Sequence, residues 1–270
     1  MMSPEPLVLL NGSPAALLSP LDRGLAFGDG VFRTLRLEAG EPVWWLDHYA
    51  KLAADCRQLQ LDCPTRTEWE QDIAWVAARQ PDAVVKLIVT RGPGPRGYRI
   101  PEALLPTRVT IASPLPDFSD PVATTGAVVR ICDLRLGHQP HLAGAKHLNR
   151  LENVLARMEW NDSEIDEGIL LDGDDQVISG VMTNLFIRRD GIWQTPSLSR
   201  CGVAGVTRGR LMSILAAQEV RFGLADLMQA DAILLSNSLI RVRWVARLGE
   251  RRWPRPADFD PLLEKLCSGA

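Results

Sequence analysis

An α+β fold in two domains is predicted, and three observations predict it. Strand and helix signals are mixed in the first 112 residues, whereas strand signals dominate the later part. A proline-rich segment, "SPLPDFSDP" at residues 113–121, separates the two regions. The chain is 270 residues long and 46% hydrophobic, enough for one large or two modest cores. We place the boundary near residue 118, with a small α+β domain over 1–118 and a larger strand-rich domain over 119–270.

Taken in order, "LVLLNG" opens with a short strand, and strand signals continue through "GLAFGDGVFRTLRLEAGEPV". In "WLDHYAKLAADCRQLQL", Leu46, Tyr49, Leu52, Ala53, Cys56 and Leu59 recur at helical spacing, which predicts an amphipathic helix. A second helix is expected near "EWEQDIAWVAARQ", followed by strands at "AVVKLIVT" and "RVTIAS". Beyond the proline-rich segment, "AVVRIC", "EGILLD", "QVIS", "NLFIRR", "GIWQT", "AILLS" and "VRWVARL" read as strands, some joined by turn signals such as "LDGDDQ" and "RDGI". "LNRLENVLARMEW", "TRGRLMSILAAQ" and "PLLEKLC" read as helices, and the apolar periodicity of the first is taken as core packing.

Bulk properties narrow the function. Thirty Lys plus Arg against 33 Asp plus Glu leave a net charge of -3, which gives no general attraction to nucleic acid or anionic lipid. A small-molecule partner is expected. The basic stretch "RVRWVARLGERRWPRP" lacks interleaved stacking aromatics, and its alternating Arg241 and Arg243 read as the polar face of a strand. Five scattered cysteines (Cys56, Cys63, Cys132, Cys201, Cys267) form no CxxC pair and are expected to be reduced. No apolar run reaches the length of a membrane span and the first residues lack a leader pattern, so a cytoplasmic location is expected.

Two motifs are set aside. "GPGPRG" at 92–97 matches a dinucleotide fingerprint, but Pro93 and Pro95 interrupt it and no helix opens on its last glycine. His138 and His141 form HxxH, but Gly137 and Pro140 exclude the helix that would join them in a metal site, so no metal is expected. Two others carry chemistry. In "HLAGAKHLNR", Lys146 follows small apolar residues and precedes His147 and Arg150, a setting that can lower an amine's pKa for Schiff-base chemistry. In "CGVAGVTRGR", glycines lead into Val206 and Thr207 at a helix start, where backbone N–H groups and the helix dipole favour a phosphate. A Schiff-base lysine and a phosphate cradle in one chain suggest pyridoxal phosphate.

The order of "LSPLDRGLAFGDGVFRTLR", "VTRGPGPRGY", "HLAGAKHLNRLENVLAR", "TNLFI", "GVAGVTR" and "LLSNSL" over nearly the whole chain resembles the fold-type IV family of pyridoxal-phosphate enzymes, and within it the lyase branch. The resemblance implies a small N-terminal domain, a larger C-terminal pseudo-barrel that binds the cofactor, and a homodimer. Lys146 would hold the cofactor covalently and act as the catalytic base. Val206 and Thr207 would bind its phosphate, with Asn237 and Ser238 beside them. Thr34 would lie next to the reacting ring, and Arg96, Tyr98 and Arg150 would hold substrate carboxylates. The implied reaction converts 4-amino-4-deoxychorismate to 4-aminobenzoate and pyruvate; the alternatives are a D-amino-acid or branched-chain aminotransferase, or a non-catalytic pyridoxal-phosphate protein.

Two positions depart from the family pattern. Lys51 stands where an arginine usually meets the phosphate, keeping the charge but losing the bidentate fork. Ser179 replaces the glutamate that usually holds the pyridine nitrogen protonated, and a hydroxyl supplies no counter-charge there. That substitution favours elimination over transamination.

Overall fold

A computed structural model describes residues 5–14, 17–102, 105–116 and 121–268. The chain divides into two compact units: Met1–Pro116 with Ala145–Asn149, and Asp117–Gly144 with Arg150–Ala270. The expected boundary at residue 118 lies outside the described residues. The short segment Ala145–Asn149, far along the chain, belongs to the first unit.

The first unit runs β1 (Leu7–Leu10), α1 (Arg23–Phe27), β2 (Gly30–Glu38), β3 (Glu41–Pro42), α2 (Trp45–Gln58), α3 (Arg66–Ala77), β4 (Ala83–Thr90) and β5 (Thr107–Pro114). Its strands form one antiparallel sheet in the order β1-β5-β4-β2-β3. Alternation along the strands separates two faces. Val31, Leu35 and Leu37 of β2 and Val85 and Leu87 of β4 are buried in one core with Leu52 and Cys56 of α2 and Trp69 and Ile73 of α3. Phe32, Thr34 and Lys86 alternate with them and remain half-buried.

The expected helix over α2 is present, but its buried stripe is different. His48, Leu52, Asp55 and Cys56 are buried, whereas Leu46 is 64% exposed. Hydropathy counts His48 and Asp55 as surface residues; here each has been taken into the core. Burial, with the nearby Arg33 cation adding to it, depresses the His48 pKa to about 3. The unfolded chain therefore binds a proton near the ordinary value of 6.5 that the folded chain refuses. Stability should fall by about 1.4 kcal/mol per pH unit between pH 6 and pH 4 from this residue alone. A His48→Leu variant should flatten that part of the melting-temperature profile, and parallel wild-type and variant profiles would refute the assignment.

The second unit contains α4 (Pro121–Thr125), β6 (Ala127–Leu136), α5 (Leu151–Arg157), β7 (Glu167–Asp172), β8 (Val177–Gly180), β9 (Asn184–Arg189), β10 (Ile192–Pro196), α6 (Val206–Leu215), β11 (Gln218–Val220), α7 (Leu224–Met228), β12 (Ala232–Asn237), β13 (Arg241–Leu248), β14 (Arg251–Arg252) and α8 (Phe259–Ser268). All seven strands read from the sequence are present. The mixed sheet has the order β11-β10-β9-β12-β13-β6-β7-β8. It curls until its ends meet, where the Val177 N–H donates to the Phe222 carbonyl at 2.9 Å, the closure expected of a pseudo-barrel. Its core includes Ile169, Leu171, Leu185, Ile187, Ile233, Leu235 and Val245.

One expectation for this unit is corrected. The apolar stripe of α5 does not pack into the core: Leu151 is 68% exposed and Met158 just after the helix is 70% exposed, with Val154 and Leu155 about half exposed, and only Ala156 is buried. Periodicity establishes that a helix has an apolar face, not which surface covers it. No helix among the described residues is long and apolar enough to cross a membrane, and none of the five cysteines is in a disulfide.

Candidate active site

Lys146 is held on the edge of β2. The Phe32 N–H donates to the Lys146 carbonyl at 2.9 Å, and the Leu148 N–H donates to the Gly30 carbonyl at 2.9 Å, so residues 146–148 extend the sheet by a short antiparallel bridge centred on Val31 and His147. The Asn149 amide adds a bond to the Gly28 carbonyl at 3.1 Å. Gly28 ends α1 in the left-handed region, φ 66°, where glycine carries no steric penalty. The Lys146 ammonium lies 4.6 Å from the centre of the Phe32 ring, and the Lys86 ammonium lies 4.9 Å from the same ring. Thr34 pairs across the sheet with Lys86, which puts both on the face that bears Phe32.

Beneath this edge lies a buried charge cluster. Asp55, fully buried on α2, receives the Arg33 guanidinium, the Lys51 ammonium and, at 3.2 Å, the Lys146 backbone N–H. Burial lowers the Lys51 pKa and Arg33 lowers it further, while Asp55 opposes both. Lys51 thus sits one helical turn before its counter-charge, on the helix beside the Lys146 segment.

The loop carrying Arg96 and Tyr98 is anchored rather than loose. Arg23, 4% exposed, donates to the carbonyls of Gly97 at 2.9 Å and Tyr98 at 3.3 Å, and its Nε meets Asp29 at 2.9 Å. The Tyr98 ring lies 5.3 Å from that of Phe27. Asp22 caps α1 through the Gly24 N–H and also accepts the Thr90 and Thr107 hydroxyls at 2.9 and 2.7 Å, which explains the "LDRG" motif as a brace under this loop. Arg96 itself is exposed and Tyr98 is 84% exposed. Among the described residues no helix opens between this loop and β5, as expected from its prolines.

In the second unit, Val206 and Thr207 open α6. Its N-cap is Gly205, so no side chain caps the first turn. Thr207 is 1% exposed and its hydroxyl has no hydrogen-bond partner among the described residues. A buried hydroxyl at an uncapped helix start fits an anion such as phosphate. Asn184 shapes the turn: its amide donates to the Val203 carbonyl at 2.7 Å and accepts the Gly205 N–H at 3.1 Å. A side chain at Gly205 would collide with the Asn184 amide oxygen. Ser236 pairs across the strands with Asn184, and its buried hydroxyl is likewise unpartnered among the described residues.

Asn237, by contrast, accepts the N–H groups of Leu239 and Ile240 and donates to the Met182 carbonyl, which ties it to the turn containing Ser238. Ser179 is buried on β8, opposite Leu170. Nearby in the strand order, Glu167 spends both oxygens on the chain at 168–183, accepting the Gly168, Val181 and Met182 N–H groups and the Thr183 hydroxyl. Burial raises its pKa while these donors pull against the rise. Arg150 is the N-cap of α5.

His138 is hydrogen-bonded through both ring nitrogens. Its Nε2 meets Asp172 at 2.8 Å and its Nδ1 meets Arg200 at 2.8 Å. Asp174 lies close enough for a metal group with these two, but Arg200 bonds both His138 and Asp174, and a cation in their midst opposes a second one.

Six residues of these clusters escaped the sequence reading: Phe32, Arg33, Asp55, Lys86, Asn184 and Ser236. Lys86 was visible as the one charge in "VVKLIV", and Asp55 as the i+4 partner of Lys51. The others carried no signal of their own.

Residues 30–248 match the family model of amino-transferase class IV, and the chain belongs to that family. The chain is similar to the crystal structure of 4-amino-4-deoxychorismate lyase from Pseudomonas aeruginosa, with 42% identity and a TM-score of 0.89, covering 96% of this chain and 98% of that one. It is 34% identical over 246 residues to the aminodeoxychorismate lyase of Vibrio harveyi, covering 86% of this chain and 88% of the relative. A hypothetical aminotransferase from Mycobacterium tuberculosis, in a PLP-bound form, shares the fold at 22% identity and a TM-score of 0.82, covering 97% of this chain and 99% of that one.

Proposed function

We propose that the chain is a pyridoxal-phosphate-dependent lyase that converts 4-amino-4-deoxychorismate to 4-aminobenzoate and pyruvate. One juxtaposition carries the reading: the Lys146 amine lies over Phe32 on the sheet face that also bears Thr34 and Lys86, in a chain similar to such lyases nearly end to end. The orphan hydroxyls of Thr207 and Ser236 support the cofactor. Val206, Thr207, Ser236 and Lys51 would hold its phosphate, with Asn237 and Ser238 shaping the adjacent turn, and Ser179 would meet the ring nitrogen.

Pyridoxal phosphate supplies an aldehyde for an amine to condense with and a ring that draws electrons from the carbon bearing that amine. The residues do the rest. Lys146, its amine freed by the substrate's, takes the proton from ring carbon 4 as general base. Breakage of the carbon–oxygen bond at carbon 3 releases the enolpyruvyl group, whose oxygen Thr34 orients. Phe32 keeps that side of the amine apolar. Lys86, Arg96, Tyr98 and Arg150 would meet the substrate's two carboxylates. The two products contain every atom of the substrate, so no oxidant or second substrate is needed. A serine at 179 gives the ring nitrogen a hydrogen bond without a counter-charge, which suits an elimination driven by aromatisation.

The exposed apolar face of α5 supports a homodimer, which light scattering tests, and five cysteines outside any disulfide fit a reducing cytoplasm. The decisive assay incubates cofactor-loaded protein with 4-amino-4-deoxychorismate and quantifies both products. Equal amounts of 4-aminobenzoate and pyruvate are expected. If neither forms while D-alanine or a branched-chain amino acid reacts with a 2-oxo acid, the chain is an aminotransferase and the proposal falls.

A further inference from the structure

We propose that Asp55 is a positioning residue for the cofactor-bearing lysine, one buried carboxylate that fixes the main chain of Lys146 and the ammonium of Lys51 at once. The inference rests on Lys146 as the covalent attachment point proposed above.

The geometry is specific. Asp55 is fully buried on the last turns of α2, and its two oxygens divide their partners. One accepts the Lys51 ammonium from the preceding helical turn; the other accepts the Arg33 guanidinium from β2 and the Lys146 N–H at 3.2 Å. The Lys146 carbonyl is held by the Phe32 N–H. Both main-chain groups of Lys146 are therefore fixed, one by the sheet and one by a side chain of the helix. Without Asp55, the Lys146 N–H would lose this partner, and the sheet bond would hold the main chain of that residue only through its carbonyl.

Charge gives Asp55 a second effect. A buried carboxylate survives only with donors around it. Arg33, 2% exposed on the core face of β2, supplies the fixed cation that pairs with Asp55, since a guanidinium does not give up its proton. The charged groups named around the cluster are Arg33 on β2, Lys51 and Asp55 on α2 and Lys86 on β4; His48 on α2 is held neutral by burial and by Arg33, and the Cys56 thiol beside them is pushed up by its bond with Cys63 and by burial. Arg33, Lys51 and Asp55 together carry a net charge of about +1. Removing Asp55 raises that by one unit beside two lysines; removing Arg33 lowers it by one. The departure at Lys51 acquires a reason here: a lysine four residues before an aspartate has its ammonium placed by its own helix, without the fork an arginine would bring.

The test reads the bond between Lys146 and the cofactor directly. Holoenzyme is treated with borohydride and digested, and the reduced cofactor is located by mass; the label is expected on Lys146. The visible absorbance of the holoenzyme is then titrated with pH. Asp55→Asn should shift the midpoint down by about one pH unit, because the added positive charge disfavours a protonated nitrogen on Lys146. Arg33→Met, whose long apolar stem refills the site, should shift it up. Arg33→Met with Asp55→Asn, which restores the wild-type charge, should return it to within about 0.3 unit. A purely structural role would lower melting temperatures and leave all midpoints together. If the label sits on Lys146 and the Arg33→Met midpoint equals wild type, the role of Asp55 is overturned while the attachment stands. If the label is elsewhere, both fall.

Discussion

Lys146→Ala is expected to cut the formation of 4-aminobenzoate and pyruvate by at least about 10³-fold while leaving the fold intact. The size follows from what the proposal assigns to this amine: the bond to the cofactor and the removal of the proton, the latter alone worth about 10² to 10⁴. Intact folding follows from geometry. The bonds to Phe32 and Asp55 are made by the carbonyl and N–H of residue 146, which alanine keeps. Melting curves of the cofactor-free proteins should therefore coincide within a few degrees. Borohydride should no longer fix the cofactor, although the helix start proposed to hold its phosphate is unchanged. Turnover within about tenfold of wild type would remove Lys146 from the chemistry.

Thr207→Val is expected to move two quantities in opposite directions. Its hydroxyl is buried and unpartnered among the described residues, and an unpaired buried hydroxyl destabilises the chain that contains it. Valine has the same shape without that penalty, so the cofactor-free variant should melt at the wild-type temperature or slightly above. With cofactor the sign reverses. A hydroxyl donating to a phosphate contributes about 1.5–3 kcal/mol, so affinity should fall about 10- to 150-fold. Thr207→Ser, which keeps the donor, should stay near wild type. Dialysis against buffer followed by absorbance of the retained cofactor measures this, and equal retention in valine and wild-type proteins would contradict the cradle.

The elements of the fold were legible because alternation and helical spacing are local. The seven strands read beyond the proline-rich segment formed, and α2, α3, α6 and α8 stand where their periodicities put them, whereas "GLAF", read within a run of strand signals, lies in the helix α1 (Arg23–Phe27) that Asp22 caps. The faces were less legible. In α2, the spacing put Leu46 on the apolar face, but Leu46 lies exposed while His48 and Asp55 are buried, Asp55 with Arg33 and Lys51 as partners for its carboxylate. A partner four residues away can be read from a helix; one on another strand cannot. In α5 the apolar stripe was read correctly and its covering wrongly, since Leu151 and Met158 lie exposed.

The candidate site divides in the same way. Lys146, Thr207 and Thr34 could be singled out from the sequence because each sits in a short motif whose order along the chain resembles the family's. Asn184 and Ser236 were not singled out, because their meaning depends on being opposite one another in a strand pair. Asn237 drew attention from its motif, yet its amide is tied to the turn at 239–240, and the orphan hydroxyl belongs to its neighbour Ser236.

By itself, the sequence determined the two-part α+β organisation, the lysine set after small apolar residues and the glycine-led helix start, since all three are properties of contiguous residues. Tertiary structure decided which charges are buried together and what the lysine faces: Phe32 for its amine, Asp55 for its N–H. Those contacts join residues some 90 to 115 positions apart, and the burial that makes a carboxylate matter there exists only once the sheet and α2 have closed around it.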